Sequence, residues 1–305
     1  MHESRSDAGA RGRRRRRHRQ PRGHGDDARR LAAVLEDSAR FRYHGPVARG
    51  REPGGSTESR SLTTPSVGSP RAALAARQPE CEAWLRLYDQ AQADLGDSAW
   101  ADAVPAPSDT TPFIDGAVIT VDARAAPRLV QALLRRAGAR APADDDAIAL
   151  LEAAIAEDDA ALSAVAARAG IGHDIAAATG ALATMPLLQA CRQAWTSRLP
   201  DSWIDAACPV CGAWAVVTEA RGLERRLRHR CGRCGADWSA QPVRCAFCGT
   251  IEHSHLTTLV SERAGERGRV EACGVCRGYA KTITTLAACA PTDVVLLDLE
   301  TVHLD

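Results

Sequence analysis

The chain has 305 residues, of which 45% are hydrophobic and 25% are charged, and its formal net charge is only +1. This length is sufficient for more than one compact unit with a sizeable core. No run of about 18 apolar residues occurs, so we expect no membrane-spanning segment.

The N-terminal segment is much more basic than the rest of the chain. Residues 1–60 contain sixteen Arg against eight Asp and Glu, whereas the remainder is net acidic. Residues 1–70 have almost no apolar periodicity and are rich in Gly, Pro and Ser. Such a composition buries too little apolar surface to fold. We therefore predict a disordered, Arg-rich tail over 1–70. A solvated tail is the favoured interpretation of the run 13–17, and electrostatic contact with nucleic acid or an acidic surface is the alternative.

The second segment, 71–199, has the periodicity of amphipathic helices. The apolar stripes are Cys81, Trp84, Leu85 and Tyr88; Leu129, Leu133 and Leu134; Ile148, Leu151 and Ile155; and Leu187, Cys191 and Trp195. Breaks at "AVPAPSDTTP", "RAPADDD" and "GIGH" separate the stripes. The pattern predicts a helical domain with these stripes as its core, and it favours Cys81 and Cys191 as small buried hydrophobic residues.

The third segment, 200–305, contains four C-x-x-C turns. They are formed by Cys208 and Cys211, Cys231 and Cys234, Cys245 and Cys248, and Cys273 and Cys276. Two such turns can surround one tetrahedral metal ion when a β-hairpin brings them together. The stretches "AWAVVTEA" and "RRLRHR" predict one hairpin, and "HSHLTTLVSE" and "RVEACGVC", joined at "RAGERG", predict another. The fold class is therefore α+β, with a helical N-terminal domain followed by tandem rubredoxin-like or zinc-ribbon units over 200–305.

The grouping of the four turns has two solutions. Sequential grouping is favoured because local loops close at lower entropic cost, but an interleaved grouping is possible. Zinc and iron both accept four thiolates, so the spacing predicts two ions of either metal. A closed four-thiolate site leaves no position for a substrate, which favours structural metal over redox metal and disfavours catalysis.

The sequence also predicts the conformation or exposure of three kinds of residue near the turns. Gly212, Gly235 and Gly249 should take a positive φ and direct backbone N–H groups at the sulfurs. Arg277 at the equivalent place predicts a fourth turn that is slightly looser or more polar. Because cysteines fill both sites, His229, His253 and His255 are expected at exposed hairpin positions. Cys289 remains as an ordinary buried or half-buried thiol.

Known catalytic motifs are absent from the sequence. It contains no G-x-S-x-G, no Walker loop and no G-x-G-x-x-G after a strand, so we predict that the protein is not an enzyme. The apolar stretch in "LAAVLEDSAR" is too short for a signal peptide. Without export, eleven cysteines indicate thiolate chemistry in a reducing compartment, and we expect a cytoplasmic protein.

The motifs resemble those of one family, the formate dehydrogenase accessory protein FdhE. The matching stretches are "WIDAACPVCG", "RCGRCGADW", "VRCAFCG", "EACGVCRGYAKTI" and the ending "PTDVVLLDLETVHLD". The resemblance is specific over 200–305 and diffuse over 71–199. It implies a cytoplasmic assembly factor that binds the catalytic subunit of a molybdenum- or tungsten-containing formate dehydrogenase. It also implies that the eight paired cysteines hold the family's metal, reported as iron in a rubredoxin-like setting.

Two other functions compete with this one. A zinc-ribbon nucleic-acid-binding protein would use the run 13–17 and the strand 225–230 as phosphate contacts. The acidic balance beyond residue 60 and the lack of an aromatic-rich stacking surface disfavour that alternative. A rubredoxin-type electron carrier would show a reversible one-electron couple. The particular formate dehydrogenase and the oligomeric state are left open by the sequence.

Overall fold

A computed structural model describes residues 69–200, 202–260 and 268–301. The predicted disordered tail lies almost wholly outside these residues, as does most of the expected turn at "RAGERG". Within the described ranges, helices and one mixed β-sheet make up an α+β fold. None of the helices in these ranges is long and apolar enough to cross a membrane.

The helical part begins at Pro70 and ends near Trp195. Its helices are α1 Pro70–Arg77, α2 Glu82–Ala93, α3 Ser98–Asp102, α4 Ala125–Arg136, α5 Asp144–Ile155, α6 Asp159–Ala169, α7 His173–Ala183 and α8 Met185–Trp195. The four predicted stripes lie on α2, α4, α5 and α8, except that Cys81 belongs to the 3-10 turn just before α2. All residues of the stripes are buried apart from Ile148, which is half-buried. The predicted helical core is thereby confirmed.

The boundaries of α5 and α6 follow from helix-end chemistry. The three aspartates of "RAPADDD" form the first turn of α5, where they complement the positive end of the helix dipole, so the expected break ends at residue 143. Asp158 caps α6 by accepting a hydrogen bond from the Ala161 N–H at 3.0 Å. Gly170 ends α6 with a left-handed φ of 68°.

The sheet contains six strands in the order β3-β2-β1-β6-β5-β4. They are β1 Ala215–Arg221, β2 Arg226–Cys231, β3 Asp237–Ser239, β4 Leu256–Val260, β5 Gly268–Cys273 and β6 Tyr279–Thr285. The antiparallel pairs β1–β2 and β4–β5 are the two predicted hairpins. The two units are joined because β1 and β6 pair in parallel, with Thr218 opposite Thr282.

A C-terminal segment ties the sheet to the helices. It consists of a 3-10 turn, Pro291–Asp293, and helix α9, Val294–Glu300. Val294 packs against Val217 of β1 and Ile283 of β6 in a small second core. The Tyr88 hydroxyl of α2 donates a hydrogen bond to the carbonyl oxygen of Thr292 at 3.1 Å. The segment therefore bridges β1, β6 and the helical part.

A buried ion pair fixes the chain just before that segment. Glu219 of β1 and Arg230 of β2 are almost completely buried, and Oε2 of Glu219 lies 2.9 Å from Nη1 of Arg230. The Cys289 N–H donates to Oε1 of Glu219 at 2.7 Å, and Nη1 of Arg230 donates to the Cys289 carbonyl at 2.9 Å. These added hydrogen bonds offset part of the cost of taking both charges out of water.

Replacing Glu219 by Ala should lower the free energy of unfolding by roughly 3–5 kcal/mol, because Arg230 would remain charged in the interior without its carboxylate. The measurement is urea unfolding at equal metal content. Glu224→Ala is the matched control, since Glu224 and its partner Arg226 are 71% and 79% exposed and their pairing contributes little. Equal unfolding midpoints for the two variants would show that the buried pair is not an important stabilising contact.

Candidate metal centres

The four C-x-x-C turns share one backbone geometry. In the first turn, the Cys208 N–H donates to the Ala213 carbonyl at 2.7 Å and the Gly212 N–H donates back to the Cys208 carbonyl at 2.9 Å. The same two bonds recur in the turns that start at Cys231, Cys245 and Cys273, with lengths of 2.8–3.0 Å. Each turn is thus a short closed loop, and its two thiols belong to the same sulfur cluster.

The residue after the second cysteine of each turn adopts a left-handed conformation. Its φ is 77° at Gly212, 71° at Gly235 and 74° at Gly249, as expected, and 59° at Arg277. The N–H group of this residue closes the turn onto the first cysteine's carbonyl. The backbone N–H groups that reach the sulfurs, as expected, belong to other residues of the turns. A side chain in this conformation costs about 1–2 kcal/mol, so the fourth turn is the strained one.

The first cluster consists of Cys208, Cys211, Cys231 and Cys234. The four sulfurs lie within 4.8 Å of one another. The Sγ atoms of Cys208 and Cys234 are 3.5 Å apart, as are those of Cys211 and Cys231. A disulfide would require about 2.05 Å, whereas bonds of about 2.3 Å to a tetrahedral ion place sulfurs about 3.8 Å apart. The donor set and its spacing therefore fit one thiolate-bound cation.

The second cluster consists of Cys245, Cys248, Cys273 and Cys276, and it is more accessible than the first. Its sulfurs also lie within 4.8 Å of one another, with 3.6 Å between Cys245 and Cys276 and 3.7 Å between Cys248 and Cys273. Cys248 is exposed and Cys276 is half-buried, whereas every cysteine of the first cluster is at most 5% exposed. The two groups could hold two metal ions in unequal surroundings.

Backbone N–H groups approach the sulfurs of both clusters. In the second cluster, the amides of Phe247 and Cys248 donate to Sγ of Cys245 at 3.4 and 3.5 Å, and the amide of Gly278 donates to Sγ of Cys276 at 3.4 Å. In the first cluster, the Cys234 amide donates to Sγ of Cys231 at 3.5 Å. Such donors stabilise negative charge on thiolates.

The helical part holds both turns of the first cluster. The backbone N–H groups of Phe113 and Ile114 donate to the carbonyls of residues 209 and 210 at 2.9 and 3.0 Å. Arg233, inside the second turn, donates to the Ala154 carbonyl at 2.7 Å, at the C-terminal end of α5, and pairs with Glu157. Displacement of the first cluster would therefore disturb the helices as well.

Protonation of the thiols differs within each cluster. Burial raises the pKa of the Cys208 and Cys234 thiols well above the usual value, and it raises that of Cys245 to about 12. At Cys273, burial acts in the same direction, but the backbone N–H groups of Cys276 and Val275, together with the neighbouring thiols, outweigh it and the pKa is about 7. In the first cluster, burial also acts to raise the pKa of Cys231, but hydrogen bonds from the neighbouring thiols outweigh it and lower that pKa well below the usual value. Binding of a cation must therefore displace protons from Cys208, Cys234 and Cys245.

The remaining predicted residues are placed as follows. Cys81 and Cys191 are buried and Cys289 is half-buried, as expected. His253 and His255 are exposed on a 3-10 turn, which confirms their prediction. The prediction for His229 is wrong, because its end of β2 runs into the core next to the first cluster. The ring packs beside Trp238, Nδ1 lies 2.9 Å from the Thr218 hydroxyl, and burial lowers the His229 pKa to about 4.

The structure gathers the eight predicted cysteines into two groups of four in the sequential order, and metal binding by them stays a prediction. Arg233 was missed by the sequence reasoning. The only hint in the sequence was its position between two candidate ligands in "CGRC". Its partner Ala154 on α5 lies 79 residues earlier in the chain, so no local pattern could reveal the contact.

Comparisons with known proteins show a modest similarity to a solved structure. No family model matches the chain, and no curated protein matches it. Among solved structures, the chain is similar to the FdhE protein from Pseudomonas aeruginosa, with 18% sequence identity and a TM-score of 0.46, over 77% of this chain and 87% of that one.

Replacing Gly235 by Ala should destabilise the protein more than replacing Gly138. Both glycines have a positive φ, but an added Cβ at Gly235 would lie 2.5 Å from the Pro291 carbonyl oxygen, whereas at Gly138 it would meet open space. We expect a loss of about 1 kcal/mol for Gly138→Ala and at least about twice that for Gly235→Ala. Urea unfolding at equal metal content measures both, and equal losses would contradict the close approach.

The two clusters should release metal at different rates. A colourimetric chelator is expected to remove one ion quickly from the second cluster, where Cys248 is exposed, and the other only as the core opens. Cys248→Ser should abolish the fast phase and leave the slow phase unchanged. A single phase in the unmodified protein, or a slow phase altered by Cys248→Ser, would contradict this inequivalence.

Proposed function

We propose that the protein is an accessory factor for formate dehydrogenase that binds the catalytic subunit during maturation, in the cytoplasm, and holds two metal ions in its cysteine clusters. The observation that carries the proposal is the pair of closed four-thiol clusters, assembled from C-x-x-C motifs whose flanking residues resemble the FdhE family. The helical part that precedes them matches the order of features in that family.

The geometry of the clusters supports binding rather than catalysis. Within the described ranges, each candidate metal group consists of four cysteines alone. Four thiolates complete a tetrahedral ion and leave no position for a substrate. Zinc would supply structural cross-linking, and iron would add a one-electron couple. With either metal, the four cysteines of each cluster would hold one β-hairpin unit together beside the helical part.

The charges on β2 weigh against nucleic-acid binding. Arg226 pairs with Glu224 at 2.7 Å, Arg228 pairs with Asp237, and Arg230 pairs with the buried Glu219. Phosphate affinity depends on the number of cations free to displace counterions. Arg228 and Arg230, whose guanidinium groups are already held by carboxylates, therefore offer few such contacts.

The test is anaerobic affinity capture of the tagged full chain from its own host, with mass spectrometry of the bound proteins and metal analysis of the same eluate. We expect the formate dehydrogenase catalytic subunit together with about two ions per chain, as two four-thiolate sites require. Cys248→Ser should keep the fold and reduce the metal content to about one ion, while Cys289→Ser, which changes a thiol outside both clusters, should retain both ions.

Two results would overturn the proposal. One is capture of no formate dehydrogenase subunit from cells that express the enzyme. The other is capture of nucleic acid whose retention falls steeply with salt, which would favour the zinc-ribbon alternative.

A further inference from the structure

A groove separates the two cysteine clusters. One wall is formed by residues 204–207, Gly212 and Trp214, which flank the first turn, and the other by Arg244 and residues 246–249 of the third turn. Its volume is about 230 Å³. Pockets for small molecules begin at roughly 300 Å³, so this space fits one or two side chains of a polypeptide better than a cofactor.

The groove contains an aromatic surface. Trp214 and Phe247 lie with their ring centroids 5.3 Å apart and their planes at 48°. Both side chains are half-buried, so part of each remains accessible from solvent. Aromatic residues in a concave, partly dry surface are the usual anchors for an apolar side chain of a protein partner.

The charged side chains of the groove indicate which polar groups of a partner it can bind. Arg244 is half-buried, and among the described residues no carboxylate pairs with its guanidinium, in contrast to the arginines of β2. A guanidinium in this position is suited to a two-pronged contact with an incoming carboxylate. The exposed Asp205 on the facing wall can accept a hydrogen bond from an N–H group of the same segment.

The accessible thiol of the second cluster lines this groove too. Cys248 is part of its wall and is exposed. A bound segment would cover Cys248 and so retard loss of an ion from that cluster. Since coupling between two binding events is reciprocal, an intact second cluster should also favour the segment.

From these features we propose that the groove is the docking site for an extended client segment in which an acidic residue lies beside an apolar one. The carboxylate would bind Arg244 and the apolar side chain would pack on Trp214 and Phe247. This inference rests on the proposed function, because it assigns the surface through which an assembly factor contacts its client.

The test uses the full, metal-loaded chain labelled with 5-fluorotryptophan, and the fluorine resonance of Trp214 is assigned with Trp214→Phe. The probe is the acetylated and amidated peptide Ala-Leu-Glu-Leu-Ala. We expect a saturable shift of the Trp214 resonance at millimolar concentration. The peptide with Gln in place of Glu should bind about tenfold more weakly, which corresponds to the loss of one charged contact.

Arg244→Ala should weaken binding of the acidic peptide by about tenfold or more while the metal content stays unchanged. The matched control is Arg140→Ala, which removes an exposed arginine of the helical part that likewise has no carboxylate partner within the described ranges. Absence of a saturable shift, or equal binding by the Arg244 and Arg140 variants, would overturn the proposal.

The same variants separate this inference from the proposed function when the purified catalytic subunit replaces the peptide. If the subunit binds the unmodified chain and Arg244→Ala equally well, the groove is not the docking site and the assembly function stands. If the peptide occupies the groove but the catalytic subunit does not bind, the assembly function is wrong and the groove remains an acidic-peptide site.

Discussion

The first cysteine cluster lies inside the main hydrophobic core, and the arrangement of both parts of the chain depends on it. Its four residues are packed in the same core as the leucines and tryptophans of α2, α4, α5 and α8. Burial raises the pKa of the Cys208 and Cys234 thiols well above the usual value, so a cation must displace their protons before these two sulfurs become strong ligands. Because Arg233 and the backbone at 113–114 connect the cluster to the helices, a metal ion bound there would stabilise the helical part together with the ribbon.

The second cluster is attached by a different means. None of its cysteines belongs to the main core. The unit is held through the parallel pairing of β1 with β6 and through helix α9, whose Val294 fills the small core beneath the sheet. The buried Glu219 and Arg230 fix the chain at Cys289, directly before that helix. The architecture therefore keeps one cluster enclosed and leaves the other at the surface.

This asymmetry suits a protein that binds another. The enclosed cluster can maintain the fold whether or not a partner is present, because no solvent or partner reaches its sulfurs. The accessible cluster borders a groove that contains an aromatic pair and the guanidinium of Arg244, which no carboxylate of the described residues pairs with. Contact with a partner and protection of a metal ligand would therefore occur at one place. A closed thiolate site contributes shape and charge to such a contact without providing a position for a substrate.

The sequence by itself determined the features that depend on local geometry. The C-x-x-C spacing indicated four turns, the glycines at 212, 235 and 249 indicated left-handed residues, and the period of the apolar stripes indicated the helices that carry them. Loop closure favoured the sequential grouping of the turns, which is the one in the structure.

The tertiary structure alone decided the features that depend on distant contacts. The parallel pairing of Thr218 with Thr282 joins strands from different units, and no local pattern marks it. His229 was assigned to the surface because the cysteines already fill both sites, and no local pattern reveals that its ring packs beside Trp238 and against Thr218. The contact of Arg233 with α5 likewise joins residues almost 80 positions apart. Whether a side chain in a ribbon is buried, paired or exposed depends on what packs against the ribbon, and that is a property of the whole fold.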